Sequence, residues 1–442
     1  MKCRNWKRLW IWWNSYPPRP REIGGGVGCP CTPAEKGAPG YSGAEWVKLK
    51  NLFLIIVILS LWSSFGIAQS DYKTLHNQAL VVDMHTDVLL QVLLGADISK
   101  RLDYGHVDLV RLKEGGVDVQ FFAIWPNPNL YGHSGMFHQS IRLIDRLDDI
   151  VENNPDKIIL TRTPDEVESA VDARKIAACI GVEGGTAIEN DLTKLKKLYD
   201  RGARYLCLTW NDSPDWASSA RDETVNESEI KPGLSEFGRE VIHWMNAHGM
   251  IIDVSHCGEK TFWDVIEEST KPVIASHSCA YNLCPHYRNL KDDQIRAIGK
   301  NDGVIFLNFY PGYLARGFNH KYTVLIESST VFLDSMKMMY GTNQLGFQKY
   351  RNNYLRQKTE SFLPDVGIIV DHMDYIINLI GDDHVGLGSD FDGISILPKG
   401  IEDVSKMPEI TRVMMIRGYS NQRIKKILGG NFMRIFRAVS AL

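Results

Sequence analysis

From residue 80 onward, short runs of Val, Ile and Leu alternate with amphipathic stretches long enough to form helices, the pattern of repeated βα units. Eight runs predict strands: Leu80–Met84, Val117–Trp125, Ala177–Val182, Ala203–Thr209, Met250–Val254, Pro272–Ala275, Val304–Phe309 and His384–Gly388. Their continuous apolarity predicts strands covered on both faces. Helices are expected at Ser134–Asn153, Leu192–Arg201, Ser235–His248, Lys260–Ser269, Lys291–Lys300 and Val366–Ile380. Eight parallel strands ringed by helices make an α/β fold, a (β/α)8 TIM barrel, and the length suits a single domain with an insertion. The longest insertion, Pro311–Leu363, reads as a lid or a dimer contact.

The carboxyl ends of these runs are polar where a core would stay apolar. They read Asp83-Met84-His85-Thr86-Asp87, Glu183-Gly184-Gly185, Trp210-Asn211, Ser255-His256, Ser276-His277-Ser278 and Ser389-Asp390-Phe391-Asp392. In a barrel all of them meet on one rim, the rim on which active sites of this fold are built. Residues two apart in a strand share a face, so His85 and Asp87 are predicted to point together, with Asp83 orienting a ligand from behind. A lone His-x-Asp is more often a satisfied polar pair, and Glu183 alone reads equally well as a helix cap; repetition at separate strand ends favours a metal site. A carboxylate at Glu183 facing His85, Asp87, His256 and His277 would give one oxygen to each of two ions. Each ion then has three ligands, with room for a shared hydroxide. Asp390 is placed to accept and pass on a proton, while Asp392 falls on the other face. Arg288 offers a planar charged fork suited to a substrate carboxylate. His243, His248, His286, His320 and His372 fall on helices or loops and read as solvated.

The composition is that of a globular chain: 442 residues, 44% hydrophobic and 23% charged. Fifty Lys and Arg nearly cancel 53 Asp and Glu, which argues against a nucleic-acid or anionic-membrane surface. The first 68 residues differ, with nine basic against three acidic residues and six of the eleven tryptophans. Residues 1–47 show no periodicity and read as a non-domain extension, with residues 1–46 arising from an upstream start and Val47 as the true initiator. Lys48 and Lys50, the apolar run Leu52–Trp62 and the small-residue pattern Gly66-Ile67-Ala68 predict a signal peptide over 48–68. The run is shorter than the roughly 20 residues of a membrane span. The expectation is therefore an exported, periplasmic or secreted protein of residues 69–442; left uncleaved, the segment would be an N-terminal membrane anchor. Five cysteines remain, Cys179, Cys207, Cys257, Cys279 and Cys284, so at least one thiol is free, and Cys179, Cys207 and Cys279 read as core. Asn211 and Asn226 begin glycosylation acceptor patterns.

These strand-end motifs, in order, together with Val107-Asp108-Leu109-Val110-Arg111-Leu112-Lys113-Glu114-Gly115-Gly116, Arg288-Asn289 and Gly429-Gly430-Asn431-Phe432, resemble the membrane dipeptidase (renal dipeptidase) family of zinc peptidases. The resemblance covers nearly all of residues 69–442. It implies two Zn2+ per chain, one held by His85 and Asp87, the other by His256 and His277, with Glu183 bridging. It implies hydrolysis of dipeptides by a metal-bridging hydroxide, Arg288 as carboxylate anchor, Asp390 as proton shuttle, and often a homodimer. One position departs from the mammalian pattern, in which the fourth strand ends Thr-His and the histidine contacts the substrate carbonyl. Here the chain reads Leu208-Thr209-Trp210-Asn211. Either Asn211 or a zinc ion polarises the carbonyl, or substrate preference and rate differ. The rivals are an N-acyl amino acid deacylase or a lactonase on the same metal pair, and a silent binding protein that retains a structural metal. A complete set of five ligands plus Asp390 speaks against the last.

Overall fold

Each apolar run folds as a short parallel strand. The computed structural model describes residues 72–128, 135–225 and 230–441; the extension, the predicted signal peptide and the acceptor pattern at Asn226 lie outside the described residues. The strands are β1 (Val82–Thr86), β2 (Val119–Ile124), β3 (Ile158–Leu160), β4 (Ile176–Glu183), β5 (Ala203–Cys207), β6 (Ile251–Asp253), β7 (Ile274–Ser278), β8 (Val304–Leu307) and β9 (Val385–Leu387). Eight of them follow one another in the order β1-β2-β4-β5-β6-β7-β8-β9, and β3 pairs with β4 off this path. A bridge between Thr86 and Phe391, just beyond β9, joins the two ends of the sheet. The fold is a (β/α)8 barrel, as expected. The three residues of β3 are too few to leave a period in the sequence, and that strand was not anticipated.

Alternation along the strands separates two cores. Ala177 and Cys179 of β4, Tyr205 of β5 and Val304 and Phe306 of β8 face the barrel interior, where they meet Phe432, Phe436 and Val439 of the C-terminal helix Asn431–Ser440. Their neighbours Ala178, Ile180, Val182, Leu206, Ile305 and Leu307 join the larger layer under the outer helices. The C-terminal helix thus plugs the amino end of the barrel, leaving the carboxyl rim for polar groups. Gly181 is required for this interior packing, because a Cβ there would lie 1.9 Å from Cζ of Tyr205. The ring of Tyr205 consequently lies against β4 two residues before Glu183.

Helices form at all six expected stretches, with ends within two residues of those expected. The insertion is helical, with Pro311–Leu314 followed by the antiparallel pair Phe318–Tyr340 and Gln344–Thr359. Phe318, Leu333 and Leu355 of the insertion form a small core together with Ile396 from beyond β9, and Lys349 pairs with Asp103. All five described cysteines are buried and unpaired. His243, His248 and His320 are exposed, but the solvated reading fails for His372. His372 is fully buried, accepts from Ala280 N at 3.1 Å and lies 3.0 Å from Leu314 O, because its helix turns that face to the barrel. His286 is half-buried and accepts from Arg288 N. Among the described residues no helix is long and apolar enough to cross a membrane.

Candidate active site

The rim residues reach the barrel axis through irregular backbone. The pairing of β1 with β2 shifts register between Asp83 and Thr86, so simple alternation ends before His85. Asp83 consequently does not support His85 from behind as expected. It accepts from Ser389 N at 2.8 Å, Ser389 Oγ at 2.7 Å and Gln120 Nε2 at 3.1 Å, tying β1 to the end of β9. Tyr205 takes the expected place of Asp83, with its hydroxyl 2.9 Å from His85 Nδ1. His256 and Asp390 both adopt left-handed backbone, at φ 66° and 62°, a conformation that costs a non-glycine residue on the order of 1 kcal/mol or more and that clusters at functional sites.

Glu183 stands at the centre. Its Oε2 lies 3.4 Å from His85 Nε2, while its Oε1 lies 3.0 Å from His256 Nε2 and 3.5 Å from His277 Nε2. Asp87 Oδ2 is 3.4 Å from His85 Nε2 on the other side. The structure therefore brings together all five residues singled out as metal ligands, and all five are buried. Asp390 joins them: one of its oxygens lies within 4.8 Å of ligand atoms of His85 and Asp87, and its Oδ2 accepts from Asn308 Nδ2 at 2.9 Å. Asp392, as expected, turns elsewhere and accepts from His106 N, Val107 N and Gln91 Nε2. Gly393 leaves the space between the two acids open, since a Cβ there would lie 2.2 Å from Asp87 Oδ2 and 2.3 Å from Asp390 Oδ1.

A cleft of about 180 Å³ opens onto this cluster, bordered by Asp87, Glu183, Asn211, His256, Arg288 and Asp390. Arg288 is 3% exposed and donates from Nη2 to His277 O at 3.1 Å, yet it has no ion pair among the described residues and its Nε has no partner. Its guanidinium lies 5.5 Å from the centre of the Tyr313 ring. Asn211 turns its side-chain oxygen to His256 Nδ1 at 3.3 Å. Trp210 packs on Trp125 with ring centres 4.8 Å apart, forming an aromatic wall beside His256.

The donor set suits divalent cations. His256 Nε2 and His277 Nε2 face each other at 2.9 Å, and His85 Nε2 makes no hydrogen bond although two carboxylates lie 3.4 Å away. Burial, reinforced by the Arg288 charge, pushes His256 down to about 3, and burial with the charge at His85 holds His277 well below its ordinary value. Both imidazoles are thus neutral, with lone pairs to offer. Burial alone would raise the Glu183 carboxyl; the imidazoles, His85 foremost, outweigh it and hold Glu183 ionised. His85 differs: burial opposes its charge, but Tyr205, Glu183 and Asp87 hold its imidazole well above the ordinary value, so without a cation it carries the positive charge that a bound ion would supply to the buried carboxylates. Burial pushes Asp390 up to about 8, with Asp87 and Glu183 adding to the rise and His85 opposing it.

Sequence reasoning missed several supporting groups. Tyr205 lies inside an apolar run and reads as core. Ser276 Oγ lies 2.7 Å from His277 Nδ1 and donates to Asp253 Oδ2 at 2.5 Å, a link between strands that the chain does not advertise. Asn308 did carry a signal, being the one polar residue in the run Val304–Phe309.

A parallel barrel with such a cluster at its carboxyl rim places the protein among metal-dependent hydrolases. Comparison with known proteins makes this specific. The chain belongs to the membrane dipeptidase family, peptidase family M19, whose profile matches residues 69–442. It is a metallo-dipeptidase, a hydrolase of peptide bonds. A Schizosaccharomyces pombe protein described as an uncharacterized dipeptidase is 31% identical over 389 residues, which cover 84% of this chain and 83% of the relative. A metallo peptidase from Rhodobacter sphaeroides, solved with a phosphinate mimic of the dipeptide L-Ala-D-Ala, is 25% identical with a TM-score of 0.64, covering 82% of this chain and 99% of that one. The probable dipeptidase PvdM from Pseudomonas aeruginosa shares the fold at 24% identity and a TM-score of 0.70, covering 85% and 99% of the two chains.

Proposed function

We propose that the protein hydrolyses dipeptides at this cleft with two zinc ions, one held by His85, Asp87 and Glu183 and the other by Glu183, His256 and His277. The observation that carries the reading is the division of Glu183, with one oxygen turned to His85 and the other to the two remaining histidines. Imidazole and carboxylate donors suit zinc, although manganese or cobalt would accept the same set. Bound there, the ions would supply an activated water and polarise the scissile carbonyl. The chain's own residues supply the rest. Arg288, buried and lacking a counter-charge, binds the terminal carboxylate of the substrate. Asn211 offers the substrate its amide NH2, the part that His256 does not engage. Asp390, fixed at Oδ2 by Asn308, carries the proton on its other oxygen and delivers it to the leaving amine. The dipeptide-like ligand of the Rhodobacter sphaeroides relative supports a dipeptide over other amides. The basic, apolar and small-residue pattern at 48–68 supports export.

Arg288 fits an N-acyl amino acid as well as a dipeptide, so the test sets the two side by side, with and without a chelator. Chelator-sensitive turnover of dipeptides at least tenfold above acyl amino acids is expected. Equal or preferred turnover of acyl amino acids would overturn the dipeptide assignment.

A further inference from the structure

We propose that Tyr205 is a positioning residue that fixes which ring nitrogen of His85 carries the proton, and so aims a bare Nε2 at Glu183 and Asp87. The inference rests on the metal reading above. The Tyr205 hydroxyl lies 2.9 Å from His85 Nδ1 and 3.2 Å from Met84 O. A phenol has one proton to give, and a carbonyl oxygen can only accept. With that proton donated to Met84 O, the phenol oxygen is left as the acceptor for a proton on His85 Nδ1. The opposite nitrogen, Nε2, which has no hydrogen bond where it stands, is then the one that gives up its proton to present a lone pair to a cation.

The same arrangement recurs at the other two imidazoles. Ser276 donates to Asp253 and is left to accept from His277 Nδ1, and the amide oxygen of Asn211 lies 3.3 Å from His256 Nδ1. In all three histidines an oxygen occupies the Nδ1 side while Nε2 points to Glu183. The partner of His85 differs in being an aromatic residue deep in the barrel. Tyr205 is fully buried, and its ring fits only because position 181 is glycine. The bare face of Gly181 thereby lets β5 reach across β4 to a residue of β1.

The test is Tyr205→Phe, which keeps the ring and removes the hydroxyl. Zinc affinity is measured by competition with a chelator of known strength, beside the thermal midpoint of the metal-free protein and kcat/KM across zinc concentrations. One of two zinc equivalents should bind about 10- to 100-fold more weakly, the usual cost of losing an outer partner of a ligand histidine. Activity should recover at saturating zinc, and the metal-free midpoint should fall only modestly, as Met84 O and His85 Nδ1 lose their hydroxyl partner. A variant that binds both equivalents as tightly as wild type overturns the inference alone, whereas a wild-type chain that binds no zinc overturns the metal reading and this inference together. Should the variant not fold, zinc-loaded, histidine-labelled wild-type protein decides by nitrogen NMR, with the His85 signal assigned as the one lost in His85→Gln. A proton on Nδ1 supports the assignment and a proton on Nε2 overturns it.

Discussion

Replacing Arg288 with methionine isolates what the buried guanidinium does. Of its five N–H donors, one bonds His277 O and Nε has no partner, so most of its bonding capacity is uncommitted in the free protein. A substrate carboxylate gripped by two charge-assisted bonds, at about 1.5–3 kcal/mol each, should gain roughly 3–6 kcal/mol. With a factor of ten for every 1.4 kcal/mol, Arg288→Met should lower kcat/KM for a dipeptide by about 10²- to 10⁴-fold, mostly through KM because the carboxylate is remote from the reacting bond. Methionine fills much of the same space without a charge, and Arg288 has no anionic partner to orphan. The thermal midpoint should therefore hold or rise. The assay compares a dipeptide with its C-terminal amide on both enzymes. Wild type should prefer the free acid, and the variant should have lost that preference while turning over the amide as wild type does. An equal loss on both substrates would refute the carboxylate role and leave Arg288 as a support for the His277 backbone.

Two further outcomes are expected. Asp390→Asn should retain the cations and KM but lose about 10²- to 10⁴-fold in kcat, the usual worth of a positioned proton carrier; unchanged turnover would remove Asp390 from the proton path. Asp118 accepts from Val81 N at 2.9 Å, and burial raises its carboxyl to about 6. A carboxyl raised in the folded state holds its proton longer than in the unfolded chain, so its contribution to stability is full below about pH 4 and is lost as pH rises to about 6. Asp118→Asn keeps an acceptor for Val81 N and should raise stability by on the order of 1 kcal/mol at pH 7.5 and by nothing at pH 4, after allowance for partial exposure. Equal midpoint shifts in melts at the two pH values would contradict this.

Much of the barrel and its ligand set can be read in the sequence, for a physical reason. Strands buried on both faces must be apolar until they reach the rim, so Glu183, His256 and His277 stand out as polar residues that end apolar runs. What cannot be read is what depends on contacts distant in the chain. Alternation assigns Asp83 to His85, but a register shift hands Asp83 to Ser389 and gives His85 to Tyr205, 120 residues away. Tyr205 escapes notice and His372 reads wrongly as solvated, because an aromatic in a strand and a histidine on a helix carry no local mark of the partner each meets. Asn308 could have been found, since a polar residue inside an apolar run requires a partner, and Asp390 supplies it.

The central claim is that Glu183 joins two cation sites, and the most direct test is zinc stoichiometry in wild type, Glu183→Gln and His256→Gln. The account predicts two equivalents in wild type, the loss of both or a sharp weakening of both when Glu183 is neutralised, and the loss of one when His256 is replaced. Two tightly held equivalents in Glu183→Gln, or none in active wild-type protein, would contradict it.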